Sequence, residues 1–465
     1  MALSGVDRSA CGAGYGIASR TKEEGNFIGE TDMKIRRLVI VAASLAITLT
    51  ISNLLTARVG SQGYSQSYPA VVCPPTDSSL ASAVSTASTT TPFRIIQKKS
   101  TALTPIRRTQ YVIKSEAILL DQGGVTSVTW QSLSGIWAGA SLCMAPQGDQ
   151  WFVGGTANVT SKGRLVVVNS GLSDSIVDVT VWSEGGVQSG KVITVPANSS
   201  VRVGLDSLAA GQTRLTLRVA SRSGRVNAFL VDERKKGLKT LGGDLVSSDE
   251  FPRTDFVISG IPHQVIAGKG GSHFLRVLVP GNTDANIRVD LISRDGVFAP
   301  VGLDGRDVTQ GRVIDIALNP TIDASVFALH IRSDQPLVAA VYSVLKVQNH
   351  QDFVWNAVTP TLSPMTLAIK GLSPVFVFTG DLIRLKVSTR LTTGSTKEVT
   401  LAGNDILTWK APENAFTVKF FDIRSPVSAA GLLSTISGIG TFPLVPGSVL
   451  TRAAVPISNI QVINR

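Results

Sequence analysis

Carboxylates are the residues of this sequence most readily able to do chemistry, since a glycosidase needs only two of them, as acid and base. Three candidate pairs occur: Asp232 with Glu233, Asp249 with Glu250, and Asp304 with Asp307. Each pair falls near the end of a predicted strand, where acidic residues commonly cap turns. We therefore interpret them as turn residues and predict no catalytic residues. The alternative is a glycan hydrolase with an unrecognised carboxylate pair.

Metal and cofactor chemistry has little support. The chain has four histidines and three cysteines, and no H-x-x-H, H-E-x-x-H or paired-cysteine spacing occurs. Gly268-Lys-Gly-Gly-Ser272 lacks the spacing of a phosphate-binding loop. Asp174 and Asp284, in two predicted turns, stand without the alternating acids of a calcium loop. We predict no metal site and no cofactor.

Tryptophans could instead bind a ligand, because exposed indole rings present a broad apolar face with a polar tip. Trp130, Trp137 and Trp151 fall within 22 residues of one another. We treat these three as a candidate ligand surface for carbohydrate. The alternative is that they pack in the core of the first β module.

Cysteine usage is typical of an exported protein. Cys11 precedes a long apolar run, whereas Cys73 and Cys143 follow it. Two thiols in an oxidising compartment, with no third to compete, predict one disulfide between them. Closing that loop would constrain the unfolded chain by roughly 4 kcal/mol in the entropy model. The alternative is two unpaired thiols.

The apolar run from Leu38 to Ala57 holds twenty residues without a charge. That length can cross a bilayer core of roughly 30 Å at about 1.5 Å per residue. Basic residues crowd its N-terminal side, so we predict a cytoplasmic segment 1–37, a single transmembrane helix 38–57 and an ectodomain outside the cell membrane. Leu55-Thr-Ala57 is a poor cleavage site, which favours an uncleaved signal anchor. A start at Met33 would make residues 1–32 an upstream extension.

We predict that residues 58–104 form a disordered stalk, because their Ser/Thr/Ala-rich middle cannot bury enough apolar surface to fold. The chain carries a net charge of +11, and no acid lies between Ser78 and Ser115. Six basic residues occupy that interval: Arg94, Lys98, Lys99, Arg107, Arg108 and Lys114. An anionic lipid surface or an acidic wall polymer would complement them, and a solvated linker is the alternative. Nucleic acid is not expected as a partner.

The elements that must position these residues are strands. From Gln110 onward, short apolar runs alternate with Gly, Asn, Asp and Pro, as in all-β domains. In Val177–Trp182 and Arg214–Val219 alternate side chains are apolar, so one face of each strand meets a core and the other meets water. Antiparallel sheets in a two-layer sandwich produce that pattern.

An internal repeat organises these strands. Arg164–Val181 aligns with Phe274–Leu291, which lies 110 residues later, and Ser221–Ala228 aligns with Ser333–Ala340 at an offset of 112. Repeated strand pairs predict tandem Ig-like β-sandwich modules over residues 105–250 and 251–362. A third β-rich module is predicted over 363–465.

Five short motifs follow one another in an order that resembles a known family. They are Trp151-Phe-Val-Gly-Gly155, Arg164-Leu-Val-Val-Val-Asn169, Val231-Asp-Glu-Arg234, Leu278-Val-Pro-Gly-Asn-Thr-Asp284 and Asp352-Phe-Val-Trp355. The order resembles a family of membrane-anchored, exported β-rich proteins of unknown function from high-GC Gram-positive bacteria. The resemblance covers about residues 105–465 and the N-terminal anchor. It implies an exported β-rich ectodomain and supplies no catalytic residues.

These features together favour a non-catalytic structural or interaction protein of the cell envelope. Its expected partners are the membrane, through the single-pass anchor, and a cell-wall polymer or another envelope protein. A carbohydrate-binding accessory protein of the wall and an envelope glycan hydrolase are the alternative functions.

Overall fold

The chain folds as two compact units, Met1–Ser65 and Gln66–Arg465. The computed structural model describes residues 29–56, 70–77, 79–97, 100–266 and 269–448. In the first unit a single α-helix, α1, covers Gly29–Thr56, and its large apolar side chains from Leu38 to Ile51 are exposed. No helix within the described ranges is long and apolar enough to cross a membrane. The transmembrane span 38–57 therefore stays a prediction, and residues 1–28 of the predicted cytoplasmic segment lie outside the described residues.

The second unit consists almost entirely of strands. The first group is β1 (Val71–Cys73), β2 (Ala81–Ser85), β3 (Pro92–Ile95), β4 (Thr104–Pro105), β5 (Gln110–Val112), β6 (Ile118–Leu120), β7 (Val125–Leu133) and β8 (Trp137–Leu142). The second group is β9 (Asp149–Val153), β10 (Arg164–Asn169), β11 (Ser175–Ser183), β12 (Gly186–Val187), β13 (Lys191–Val195), β14 (Ser199–Gly204), β15 (Leu215–Ser223), β16 (Asn227–Lys236) and β17 (Lys239–Val246), with a 3-10 turn at Leu205–Ser207.

The third group is β18 (Arg253–Pro262), β19 (Val265–Ile266), β20 (Lys269–Gly270), β21 (His273–Leu278), β22 (Ala285–Ser293), β23 (Gly296–Phe298), β24 (Asp304–Val308), β25 (Ile314–Leu318), β26 (Val326–Val347) and β27 (His350–Ala357). The fourth group is β28 (Met365–Ala368), β29 (Val375–Leu391), β30 (Thr396–Lys410), β31 (Ala415–Phe421), β32 (Ser428–Ser434) and β33 (Ile439–Pro443). The all-β fold class is confirmed.

The second and third groups repeat one pattern of strand pairing. In the first copy, β10 pairs with β14 and β16, while β11 pairs with β12, β13 and β15. In the second copy, β21 pairs with β25 and β26, while β22 pairs with β23, β24 and β26. The 22-residue strand β26 thus takes the places of both β15 and β16. The internal repeat of the sequence is a repeat of topology.

The first copy buries its core between two separate sheets, and the second buries it within one eight-stranded sheet that continues through the long strand β26. In the first copy, alternate residues of β10 and β11 point inward: Leu165, Val167, Val177, Val179 and Val181. The corresponding residues of the second copy are Leu275, Val277, Ile287, Val289 and Leu291. Strand residues two apart share a face, so this spacing explains why the two copies build the same pair of inner faces.

The turn acids of the two copies also correspond. Asp174 Oδ1 accepts a hydrogen bond from the backbone N–H of Ala197 at 2.9 Å, and Asp284 Oδ1 accepts one from Gln310 at 2.9 Å. Asp174 therefore holds the connection between β13 and β14, and Asp284 holds the corresponding connection between β24 and β25, as short polar side chains do in turns.

A ten-stranded sheet, which we name the third sheet, combines strands from more than one of the predicted modules. Its main strand order is β33-β32-β29-β31-β28-β7-β2-β5, and β7 runs parallel to β28. Val128, Ala140 and Leu142, from β7 and β8, share a core with Phe376 and Phe378 of β29. Residues 125–142, which the sequence places in the first module (105–250), therefore pack with the predicted third module.

The predicted disordered stalk over 58–104 is wrong for the residues that the structure describes there. β1, β3 and β4 join β6 in a four-stranded sheet, and β2 pairs with β5 and β7. Within the Ser/Thr/Ala tract, Ala81–Ser85 are ordered by pairing with β5 and β7, and a disulfide joins the preceding Cys73 to Cys143. Both cysteines are fully buried beside Val84 and Leu120. The predicted disulfide is present, with 4.3 Å between the two Cα atoms.

Candidate functional site

A buried polar cluster lies where β16, β17 and β27 pack together. Asp232 of β16 stands directly opposite Asp244 of β17, and cross-strand partners share one face of a sheet. Asp352 and Trp355 come from β27. We name Asp232, Arg234, Asp244, Arg276, Asp352 and Trp355 the junction. Its three carboxylates belong to residues with no solvent-exposed surface.

Asp352 holds three different strands by their backbones. Its Oδ1 accepts a hydrogen bond from Gly243 of β17 at 3.2 Å. Its Oδ2 accepts bonds from Ala138 of β8 and Ile439 of β33, each at 3.3 Å. Because β8 and β33 belong to the third sheet, β17 to the first copy and β27 to the second, one carboxylate joins the two copies and the third sheet.

The other two carboxylates, those of Asp244 and Asp232, accept hydrogen bonds from Trp355. Asp244 Oδ2 accepts a bond from the Trp355 backbone N–H at 2.7 Å, and Asp244 Oδ1 accepts one from Leu245 at 2.8 Å. Asp232 Oδ2 accepts a bond from Trp355 Nε1 at 2.9 Å. Both ends of this tryptophan on β27 are therefore fixed by the hairpin β16–β17.

Two arginines complete the junction. Arg234 Nε donates to Asp232 Oδ2 at 2.9 Å, and its guanidinium lies 4.3 Å from the centre of the Tyr342 ring. Arg276 is almost fully buried and forms a two-pronged pair with Asp315, at 2.7 and 2.9 Å. Its Nη1 donates to the Gly155 carbonyl at 2.9 Å. Paired in this way, the buried cations meet the requirement that a charge away from water be compensated.

Glycines make room for these contacts. A Cβ atom on Gly438 would lie 2.1 Å from Asp352 Oδ2 and 2.3 Å from the Ala138 nitrogen. Gly242 has a φ of +123°, and a Cβ there would lie 2.5 Å from Asp352 Oδ1. Neither position tolerates a side chain without moving the carboxylate.

Burial shapes the protonation of the junction. Loss of water raises the pKa of Asp352 to about 7, although its backbone hydrogen bonds act in the opposite direction. Burial, with nearby Asp352 and Asp232, also raises the pKa of Asp244 well above its usual range. Desolvation acts to lower the pKa of Arg234, but neighbouring Asp232 and Tyr342 outweigh it and raise that pKa. The junction can therefore take up protons near neutral pH while staying out of contact with solvent.

The carboxylates of the three candidate pairs lie in separate contacts. Asp232 is in the junction, whereas Glu233 lies near Arg164 and Lys235, at 3.8 and 3.7 Å. Asp249 pairs with Arg253, and Asp304 is exposed beside Arg288. Asp232 and Asp249 are thus engaged in structural contacts.

The candidate ligand surface of three tryptophans is wrong. Trp137 is fully buried with Val231 and Leu245. Trp151 is 5% exposed in the core of the first copy, where its ring stacks on Trp182 at 5.3 Å. Trp130 is partly buried against the third core. Three neighbours in sequence thus enter three different hydrophobic clusters, because the chain passes from the third sheet to the first copy between Trp130 and Trp151.

A histidine pair escaped the sequence analysis. His263 Nδ1 lies 2.9 Å from His273 Nε2, and His273 Nδ1 lies 2.8 Å from Ser343 Oγ. Burial lowers the pKa of both rings, that of His273 to about 3, so both are neutral at physiological pH. The two histidines are ten residues apart in sequence, on either side of the β19–β20 hairpin, and this spacing matches no metal-binding motif. Within the described residues, no group of three or more candidate metal ligands gathers.

Together, the repeated sheets and the junction define an all-β, multi-sheet protein. Its cluster of acidic and basic side chains, the junction, is buried where strands of different sheets pack together. A family of unknown function (DUF5719) matches residues 102–404, more than half of the chain, and the protein belongs to this family. The matched span contains every residue of the junction. A search of curated proteins found no match.

Proposed function

We propose that the protein is a non-catalytic structural or interaction protein of the cell envelope, with tandem Ig-like sandwiches as its ectodomain. The junction carries the proposal. Its carboxylates and arginines, the groups best suited to catalysis, are engaged in joining β strands. A rigidly joined set of sheets suits a protein that presents surfaces to a partner, such as a wall polymer or another envelope protein.

The disulfide supports export. Bonds of this kind persist in oxidising compartments and are rare where thiols are kept reduced. Cys73 and Cys143 are bonded and buried, so the bond belongs to the core of the folded unit. We accordingly place the second unit outside the cell membrane in this proposal.

Anchoring rests on the sequence 38–57. Its charge-free run and the basic residues before it favour a single-pass span with the N-terminus inside. The structure describes side chains of this run only to Ile51, and Ala57 lies outside the described residues. The resemblance to exported proteins of high-GC Gram-positive bacteria points the same way.

One experiment tests the proposal on intact cells. Full-length protein is expressed with a C-terminal epitope and exposed to a protease that cannot enter the cell, after which membranes are washed with alkaline carbonate. We expect the epitope to be removed from outside and the remaining N-terminal fragment to resist the wash. A protected epitope, or complete release by carbonate, would reject the envelope placement.

The hydrolase alternative is tested separately. Purified protein is incubated with isolated wall polymer, and released glycan is measured for the native chain and Asp232→Asn. We expect no release from either. Turnover that disappears in Asp232→Asn and persists in the exposed-acid variant Asp304→Asn would overturn the non-catalytic proposal.

A further inference from the structure

The stretch of sequence between α1 and the first strand is shorter than the predicted stalk 58–104. α1 ends at Thr56, and strand β1 begins at Val71. Residues 57–69, thirteen in number, lie outside the described residues. Fully extended, a chain of that length reaches about 45 Å at most, at about 3.5 Å per residue. A membrane anchor at 38–57 would thus hold the folded unit near the lipid surface.

The sheet that begins where this short tether enters the fold also contains β4, the strand that precedes Arg107, Arg108 and Lys114. The sheet order β1-β6-β3-β4 puts β4 three strands away from β1, which is about 14 Å at about 4.8 Å per strand. Beyond β4, the chain continues into β5, the last strand in the order of the third sheet. Residues 100–114 therefore form an outer edge, which we name the basic edge.

Charge on the basic edge is of one sign. Arg107, Arg108 and Lys114 are all exposed, and no described carboxylate pairs with them within 4.0 Å. Of the nearest acids in sequence, Asp77 is held by Arg164 and Arg202. Glu116 is half-buried. The pKa of Tyr111 is raised mainly by the burial of that side chain and, to a smaller extent, by the negative charge of Glu116. Arg94 is engaged with the Ser170 carbonyl, and Lys98 and Lys99 are outside the described residues.

Apolar side chains stand between these cations. Leu103 is 46% exposed and Val112 is 59% exposed. A surface that combines Lys and Arg with exposed aliphatic groups binds the boundary between headgroups and acyl chains, where both kinds of group find partners. A wall polymer would use the charges and leave the aliphatic groups in water.

We propose that the basic edge docks on anionic lipid headgroups of the membrane that anchors the chain. The inference rests on the proposed anchoring, and it adds a second contact with the same membrane. The docking site consists of Arg107, Arg108 and Lys114 for the headgroups and Leu103 and Val112 for the interface. Such a contact weakens with salt, because screening acts over about 10 Å at 0.1 M ionic strength.

The test uses the full-length chain in vesicles of phosphatidylcholine alone or of phosphatidylcholine with phosphatidylglycerol. Hydrogen–deuterium exchange is followed in the peptide covering 100–114. We compare the native chain, the triple variant R107A/R108A/K114A and a matched triple variant, K191A/R312A/K397A, whose lost cations are also exposed. Both triple variants lose three positive charges, so a difference in exchange between them is due to the positions of those charges.

In the presence of phosphatidylglycerol we expect severalfold slower exchange of 100–114 in the native chain and the matched variant. The variant R107A/R108A/K114A should exchange at the rate seen in phosphatidylcholine alone. Unchanged exchange of β26 will show that each variant is folded. Equal protection in both lipids, or protection that survives the loss of the three cations, would overturn the docking.

Two further outcomes separate this inference from its basis. If the native chain does not float with vesicles after an alkaline carbonate wash, the anchoring itself fails. If it floats but its basic edge is protected only by added anionic wall polymer, anchoring stands and lipid docking is rejected.

Discussion

The two copies of the repeat differ most where each forms its last hairpin. In the first copy Asp232 of β16 faces Asp244 of β17, both fully buried. At an offset of 112, the second copy has Val344 of β26 facing Phe353 of β27. At this position the second hairpin therefore pairs two apolar residues, whereas the first pairs two acids that each accept a hydrogen bond from Trp355 of β27. One copy supplies the acceptors and the other supplies Trp355 and a further acid.

That difference shows how related β units can be given a fixed relative arrangement. Apolar faces pack in several registers at similar free energy, but buried acids need specific donors, and leaving them unpaired costs several kcal/mol. The junction thus specifies one arrangement of β17 against β27.

The largest effect is expected from Asp352→Leu. Three backbone N–H groups, on Gly243, Ala138 and Ile439, lose their acceptor in a buried place. We expect the free energy of unfolding to fall by roughly 3 kcal/mol or more, measured by urea titration. Asp290→Ala, which removes a half-exposed partner of Arg332, should cost less than about 1 kcal/mol. Similar losses in the two variants would contradict the special role of the junction.

A pH dependence of intermediate size is expected from the same acids. The folded-state pKa of Asp352 is about 7, above the unfolded value of about 4, so the folded protein binds more protons between these values. Stability from this group is complete below about pH 4 and is lost as pH rises through about 7, by up to about 1.4 kcal/mol per pH unit. Asp244, whose pKa is also raised, acts in the same direction.

Thermal unfolding between pH 5 and pH 8 measures this effect. We expect the midpoint to fall toward pH 8 in the native chain, less in Asp352→Asn, and least in the double variant D244N/D352N. The variant Asp290→Asn, which changes a partly buried acid outside the junction, should keep the native slope. A slope that is unaffected by the double variant would place its origin outside the junction.

The smallest effect is expected from Asp174 and Asp284, the acids in the matching turns of the two copies. Asp174→Ala and Asp284→Ala each remove one hydrogen bond to the following connection, at 2.9 Å in both cases. We expect equal losses of about 1 kcal/mol in the free energy of unfolding. A loss confined to one copy would show that the matching turns no longer serve the same purpose.

Local patterns in the sequence predicted much of the fold. Alternation in Val177–Trp182 gave a strand with one buried face, and the aligned segments gave two copies with the same pairing. The disulfide followed from the number and position of the cysteines. Each of these signals lies within one strand, one repeat or one residue type, so that single-sequence reasoning could find it.

The junction could not be predicted, because its contacts join distant parts of the chain. Asp352 and Ala138 are 214 residues apart, and the motif around Asp352 does not indicate a backbone donor so far away. The stalk prediction failed for a related reason. Small polar residues such as those of Ala81–Ser85 look unable to fold, but β7 supplies the neighbouring strand that orders them. The tryptophans were misread because sequence proximity was taken as spatial proximity.

The parallel pairing of β7 with β28 has a consequence for biogenesis. Thr126 lies opposite Leu367, so most of the chain must be synthesised before the two strands can meet. Until residues 366–368 have been synthesised, the N-terminal part of β7 lacks this partner and keeps an open edge. Open edges invite pairing with other chains. The order of synthesis therefore sets a period in which this edge can pair with other chains, and that period ends only when β28 is in place.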